Sequence, residues 1–295
     1  MNLKKIIIIL GPTASGKTEL SIKLAERFNG EIISADSRQI YKEMNIGTAK
    51  VKKEETERIP HHLIDIRKPN QEFNVAIYKE LAINKIKEIQ EKRKLPFLVG
   101  GTGLYIKSVV ENIKFPKVPP QKELREKLGR KSEKELFNIY KKLDPEGSEK
   151  IKKNNKRRLI RAIEVSKVTG KPFWKQRGKG EKIFDSLQVG INLPKKELDQ
   201  RIEKRVENMI GLGLKKETKK LVKKYGWIPI LQTIGYQEWK EYFEEEINEE
   251  EVKNKIITHT KQFAKRQMTW FKRNNKIKWI QNYKEAERIT KKFLE

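Results

Sequence analysis

The chain has 295 residues, 68 lysines and arginines against 40 aspartates and glutamates, a net charge of +28 and no cysteine. The absence of thiols excludes disulfides, thiolate zinc sites and thiol nucleophiles. No apolar stretch is long enough for a membrane span and no signal-like leader opens the chain, so a cytoplasmic protein with no membrane partner is expected.

The first element is the apolar run 6–10, read as a buried strand, which leads directly into Gly11-Pro12-Thr13-Ala14-Ser15-Gly16-Lys17-Thr18. This is a complete GxxxxGK[ST] loop in its required setting, because a helix follows from Thr18 with Leu20, Ile22, Leu24, Ala25 and Phe28 inward and closes at Gly30. Its backbone N–H groups cradle phosphates, Lys17 adds a mobile cation and Thr18 offers a hydroxyl to Mg2+. The ligand therefore carries a di- or triphosphate. The loop alone does not distinguish a nucleotide from another pyrophosphate ester.

Strands at 31–34, 63–66 and 95–99 and a helix at 75–92 continue the alternation, which predicts a parallel sheet wrapped by helices. In such sheets ligands bind beyond the carboxyl ends of the strands. Two further segments stand there. Ala35-Asp36-Ser37-Arg38-Gln39 offers a carboxylate that either accepts a proton, orients a metal-bound water or caps its own turn, beside polar groups suited to reading a base edge. Gly100-Gly101-Thr102-Gly103 allows close approach of backbone to a ligand, or is a tight strand-to-helix turn. His61 and His62 lack further metal-ligand spacing and are read as structural.

The rhythm breaks at Phe115-Pro116-Lys117-Val118-Pro119-Pro120. The expected organisation is an α/β core resembling P-loop NTPases, with helices on both faces, formed by residues 1–117 and 185–295, and an inserted all-helical subdomain at 118–184. A strand at 187–193 returns the chain to the core, a helix starts near Lys196, and a long basic helix starts at Val252. Arg201 and Arg205, four apart on one helix face, either clamp a leaving pyrophosphate or lie in solvent with Glu203.

The charge is clustered. Residues 150–182 hold thirteen cations against Glu164 and Glu181, and 252–279 hold nine against no acid, whereas 241–251 hold seven glutamates. Such clustering calls for a polyanionic partner. Within the second cluster, Phe263, Trp270 and Phe271 interleave with Lys261, Lys265, Arg266, Lys272 and Arg273, as a surface facing RNA phosphates and bases would, or as core aromatics beside a charged face.

Taken together, these segments resemble the tRNA dimethylallyltransferases over nearly the whole chain. The resemblance rests on the phosphate loop, Ser34-Ala35-Asp36-Ser37-Arg38-Gln39, Met44-Asn45-Ile46-Gly47-Thr48-Ala49-Lys50, Pro60-His61-His62-Leu63-Ile64-Asp65, Leu98-Val99-Gly100-Gly101-Thr102-Gly103-Leu104-Tyr105, Arg157-Arg158-Leu159-Ile160-Arg161-Ala162, Gly235-Tyr236 and Ala264-Lys265-Arg266-Gln267-Met268-Thr269-Trp270-Phe271. Asn45 and Val51 depart from the family's usual Asp and Pro. The resemblance implies transfer of a dimethylallyl group from dimethylallyl diphosphate to the exocyclic N6 amine of adenosine 37 in tRNA, with diphosphate released. It further implies Asp36 as general base, Lys17 and Thr18 on the diphosphate with Mg2+, and Arg205 stabilising the departing charge. Asp36, Ser37, Arg38, Gln39, Thr102, Arg125, Arg157, Arg158, Leu159, Ile160 and Arg161 are implied as tRNA contacts, with the insertion gripping the anticodon stem of a compact, monomeric bacterial-type enzyme.

Two enzymatic alternatives share the phosphate loop: a small-molecule kinase, and a transferase that prenylates free adenine nucleotides. A non-catalytic RNA-binding switch would need no carboxylate at position 36.

Overall fold

The structure, a computed structural model, describes residues 3–51 and 53–295. In chain order the first part contains β1 (Lys5–Leu10), α1 (Lys17–Arg27), β2 (Gly30–Ser34), α2 (Lys53–Arg58), β3 (His61–His62), α3 (Val75–Glu91), β4 (Leu95–Gly100) and α4 (Gly103–Val110). The middle holds β5 (Ile113–Lys114), α5 (Lys122–Gly129), α6 (Glu133–Leu143), α7 (Pro145–Lys150), α8 (Lys156–Thr169) and β6 (Gly178–Lys179). The last part holds β7 (Asp185–Ile191), α9 (Lys195–Gly211), α10 (Leu214–Tyr225), α11 (Trp239–Phe243), α12 (Glu249–Phe271), β8 (Ile277–Ile280) and α13 (Tyr283–Leu294). Two compact units result, one of Met1–Val110 with Ile183–Glu295, the other of Glu111–Lys182.

The larger unit is built on a six-stranded sheet of order β3-β2-β4-β1-β7-β8 in which every neighbouring pair is parallel. Strand β1 lies inside the sheet, and Ile6, Ile7, Ile8 and Ile9 are fully buried, which is why it reads as a continuous apolar run rather than an alternation. On one face Ile7, Ile9, Phe97 and Val189 pack with Leu24 of α1 and Ala286 of α13. On the other, Ile6, Ile8 and Leu98 pack with Ile86 of α3, Val109 of α4, Ile202 of α9 and Ala264 of α12. Helices therefore cover both faces. Among the described residues no helix is long and apolar enough to cross a membrane.

Two expectations need correction here. The strand expected at 63–66 is instead His61–His62, paired with Ile32 and Ile33. Leu63 and Asp65 take φ of 61° and 56°, so the backbone turns in left-handed geometry and cannot continue the ladder. Strand β8 and helix α13 were not foreseen: β8 is a four-residue edge strand against β7, and the Asn282 side chain caps α13 by accepting the Glu285 N–H.

The smaller unit is helical except for one short antiparallel ladder between β5 and β6, so it is not purely helical among its described residues. Its own core contains Leu128, Leu136, Tyr140, Leu159 and Ile163.

One device in the larger unit explains two of the sequence segments quoted above. Glu217 of α10 accepts the N–H groups of Asn45 (3.1 Å), Ile46 (3.0 Å) and Gly47 (3.1 Å) and the Tyr236 hydroxyl (2.8 Å). A Cβ at Gly47 would lie 2.4 Å from the Tyr236 ring, so glycine, tyrosine and glutamate interlock. Glu217→Ala strands these donors, and chemical denaturation is expected to show a loss on the order of 2 kcal/mol.

Candidate active site

The phosphate loop leaves β1 at the sheet's carboxyl edge and ends where Gly16, at φ 88°, caps the N-terminus of α1. A left-handed φ there is open to glycine at little cost, and the first-turn N–H groups of α1 are left to a ligand. Ser15 Oγ is buried with no hydrogen-bond partner in the protein and lies 3.0 Å from where a Cβ at Gly11 would stand, so it packs against the start of the loop.

Lys17 folds back across the loop and donates to the Pro12 carbonyl at 2.6 Å. Burial, and secondarily the nearby Arg205 cation, pull its pKa from an ordinary 10.5 down to about 7, with Asp36 opposing them. Arg205 is likewise lowered by burial and held up by Asp36. Two cations and one carboxylate thus share a desolvated site. Between pH 7 and 10.5 the folded protein holds fewer protons at Lys17 than the unfolded chain, so this group's contribution to stability rises with pH in that window. Anion binding acts in the opposite sense, because a diphosphate restores the cation. At pH 8, binding of inorganic pyrophosphate is expected to take up a proton at Lys17, measurable by calorimetry in buffers of different ionisation enthalpy. The Lys17→Met variant should lose that uptake.

Asp36 follows β2 and its Oδ1 accepts the Arg38 N–H at 2.8 Å. The turn-capping role is therefore real, and it coexists with a place in the site because Asp36 lines two cavities. The smaller, about 90 Å³, has Lys17 and Thr18 at one side and Ile32, Val51, Ile64 and Val99 as apolar wall. The larger, about 380 Å³, is lined by Ser37, Arg38, Thr102, Thr233 and Arg266 among others. They meet at Thr13, Asp36, Arg205, Phe263 and Gln267. A polar two-ended cleft with a carboxylate and a cation at its waist suits two substrates that react where they touch.

With this geometry in place, the family model for IPP transferase matches residues 39–274. The chain belongs to the IPP transferase family. It is 46% identical over 280 residues to the tRNA dimethylallyltransferase of Microcystis aeruginosa, covering 95% of this chain and 88% of that one. With the tRNA dimethylallyltransferase of Caldanaerobacter subterraneus it shares 44% identity over 306 residues, covering 99% and 96%. Among solved structures, the tRNA isopentenylpyrophosphate transferase of Bacillus halodurans matches with a TM-score of 0.74 at 36% identity, covering 99% of this chain and 95% of that one. A eukaryotic dimethylallyltransferase acting on tRNA matches with a TM-score of 0.80 at 30% identity, covering 90% and 69%.

In this IPP transferase the expected site residues separate into groups. Gly11 to Thr18, Asp36 and Arg205 gather at the sheet edge, with Thr102 joined to them: its hydroxyl accepts the Ser37 N–H at 3.0 Å. Arg38 points into the larger cavity and donates through Nε to Thr233 Oγ1 at 2.9 Å, whereas Gln39 lines the smaller cavity and donates to the Ala49 carbonyl at 3.3 Å. The pair Arg201 and Arg205 divides. Arg201 is exposed and bonded to Glu197 at 2.8 Å, while Glu203 takes Lys261 rather than either arginine.

In the smaller unit, Arg125 and Arg161 both grip the buried Glu164, at 2.7 and 2.6 Å. Leu159 is fully buried and Ile160 packs against the same core. Arg157 is exposed and Arg158 half-buried. The aromatics of α12 divide in the same way: Phe271 is core, whereas Phe263 and Trp270 are exposed.

The glycines at 100, 101 and 103 are accounted for by protein neighbours. An added Cβ would lie 2.2 Å from the Ala35 carbonyl oxygen, 2.3 Å from the Gln267 amide nitrogen and 2.3 Å from the Trp270 indole, respectively. Two site residues were missed. Gln267 carries no charge and lies far from the loops in sequence. His61 was read as structural, and its Nδ1 indeed faces the Ile59 carbonyl at 2.7 Å, but the ring also lines the smaller cavity. His62 is structural, paired with the buried Glu31 at 2.7 Å.

Proposed function

We propose that this IPP transferase moves a dimethylallyl group from dimethylallyl diphosphate to the N6 amine of adenosine 37 in tRNA, releasing diphosphate. The observation that carries this reading is the waist of the cleft, where Asp36 and Arg205 stand between a small cavity joining phosphate loop to apolar wall and a larger polar cavity. The small cavity suits a short isoprenoid with a diphosphate head. The larger one suits an extruded base. Relatives named as tRNA dimethylallyltransferases support the same assignment.

In the reaction the carbon–oxygen bond between the allylic carbon and the diphosphate breaks, and its electron pair leaves with the diphosphate. The adenine amine supplies the pair for the new carbon–nitrogen bond, and its proton passes to Asp36. Arg38 N–H fixes Asp36 Oδ1 at 2.8 Å, so Oδ2 is the oxygen offered to the proton. Charge grows on the leaving diphosphate, and Lys17, Arg205 and the N–H groups of the loop bind that charge more tightly as it develops. A wall of isoleucine and valine around the allyl group keeps water from intercepting it.

The donor set fits Mg2+ delivered with the diphosphate. Thr18 lines the smaller cavity together with Lys17 and Asp36, and no group of three or more His, Cys, Asp or Glu among the described residues would hold a metal by itself. Thr18 would be the protein ligand, and the ion would neutralise charge on the diphosphate.

On the RNA side, Ser37, Arg38 and Thr102 line the larger cavity. On the larger unit the exposed Phe263, Arg266 and Trp270 of α12 would meet RNA bases and phosphates, and on the smaller unit Arg157 and Arg158 would take up anticodon-arm phosphates. Arg125 and Arg161 would act by shaping that surface through Glu164. Action as a monomer, in the cytoplasm where its tRNA substrate would be met, completes the proposal.

Labelled dimethylallyl diphosphate offered with unmodified tRNA, with AMP and with neither tests the proposal. Label is expected in RNA. Label in AMP alone would reassign the acceptor, and label in neither, alongside phosphate transfer from ATP, would favour a kinase.

A further inference from the structure

Gln267 stands on α12 with its side chain buried, and both ends of its amide are used. Oε1 accepts the Thr13 N–H at 2.8 Å, and Nε2 donates to the Gly101 carbonyl at 2.9 Å. A backbone N–H can only donate and a carbonyl can only accept, so these partners fix the orientation of the amide. Thr13 belongs to the phosphate loop after β1. Gly101 belongs to the loop after β4, where the next residue, Thr102, donates its N–H to the Ala35 carbonyl at 3.1 Å and accepts the Ser37 N–H at 3.0 Å. One side chain therefore joins the diphosphate cradle to the loop that braces Asp36 on both sides.

No other side chain of that length supplies both halves of the bond. Glutamate cannot donate, methionine does neither, and asparagine is one methylene short. A Cβ at Gly101 would lie 2.3 Å from Nε2, so any larger residue there displaces this amide.

We propose that Gln267 is a positioning residue for the transfer: it sets the phosphate loop in register with the wall carrying Asp36 and Thr102, so that the leaving diphosphate and the attacking amine face each other across the allylic carbon. This rests on the prenyl-transfer reading. It also predicts a property independent of that reading, because a cradle released from Gln267 binds a free diphosphate less well.

The experiment is a cycle of Gln267→Met, Gly101→Ala and the double variant, measured for kcat and KM with donor and tRNA and for pyrophosphate affinity by calorimetry. Gln267→Met is expected to lower kcat by about tenfold or more, as a misplacement of reacting groups by a fraction of an ångström does. KM for tRNA should stay within about twofold, and pyrophosphate affinity should fall about fivefold or more. Gly101→Ala displaces the same amide and should reproduce both losses, with the double variant no worse than the poorer single. A kcat and a pyrophosphate affinity within about twofold of the parent in Gln267→Met, or losses that simply multiply in the double variant, would overturn the proposal. If the parent protein transfers no label to tRNA, the prenyl-transfer reading fails, and the pyrophosphate cycle still decides the role of Gln267.

Discussion

Replacing Asp36 by alanine is expected to lower kcat by about 10²- to 10⁴-fold, the usual contribution of a positioned base, with tRNA affinity changed by less than about fivefold. An adenine amine is a poor nucleophile because its lone pair is delocalised into the ring, and attack on carbon generates a cationic nitrogen that must shed a proton. Asp36 stands at the waist of the cleft with one oxygen fixed by the Arg38 N–H. Removing it takes away both the proton acceptor and the acceptor for the Arg38 N–H, while Ser37, Arg38 and Thr102 remain to line the larger cavity. The Asp36→Asn variant keeps the acceptor for Arg38 and separates the two functions of the side chain: kcat should remain as low as in the alanine variant, while thermal stability returns toward that of the parent. Single-turnover kinetics with pre-bound tRNA checks the first and thermal denaturation the second. Near-normal turnover in either variant would remove Asp36 from the reaction.

Arg205→Met should be the other severe loss. The guanidinium lies buried beside Asp36 and close enough to Lys17 to lower its pKa, and holding two cations together in a desolvated site is unfavourable unless an anion joins them. As the carbon–oxygen bond breaks, negative charge grows on the diphosphate held against these cations, so the interaction is stronger in the transition state than with bound donor. By analogy with loss of a single oxyanion donor, kcat is expected to fall about 10²- to 10³-fold, with a smaller change in donor KM. Lys17 responds as well. With Arg205 gone, one of the causes that lowers its pKa disappears, so the proton uptake on pyrophosphate binding should diminish at pH 8. A raised donor KM with unchanged kcat would mean that Arg205 binds the donor uniformly and does not favour the departing charge.

What could be read from the sequence was what is local. The phosphate loop, the buried β1 and the helix after it follow from neighbouring residues, and the alternation of strand and helix carries the parallel sheet. The strand expected at 63–66 failed because Leu63 and Asp65 turn the chain back, Asp65 paired at 2.6 Å with Lys50, and the tetrapeptide Leu-Ile-Asp-Ile does not announce a tertiary ion pair. Strand β8 escaped notice because Ile277 and Ile280 are the only buried positions of a four-residue segment that includes Lys278.

The candidate site divides in the same way. Asp36 was visible as a carboxylate at a place where α/β sheets bind ligands, whereas the helix register left Arg205 between a clamp and a solvent-facing role, and only the family resemblance put it in the site. The glycines after β4 were visible, but their reason was not: it lies in Ala35, Gln267 and Trp270, the last two on a helix more than 160 residues further along the chain. Arg125 and Arg161 were expected as RNA contacts through the family resemblance, and in the structure both are engaged by Glu164, a tertiary pairing that the sequence does not announce.

The central claim is that one diphosphate tail rests on residues 11–18 with its isoprenoid carbon turned toward Asp36. A crystal structure with a donor whose bridging oxygen is replaced by sulfur, which slows departure of the diphosphate, tests it most directly. The account predicts phosphate oxygens on the loop N–H groups and Thr18, Arg205 against the diphosphate, the isoprenoid against Ile32 and Val99, and Asp36 facing the allylic carbon from the larger cavity. A diphosphate bound elsewhere, or a tail directed away from Asp36, would contradict it.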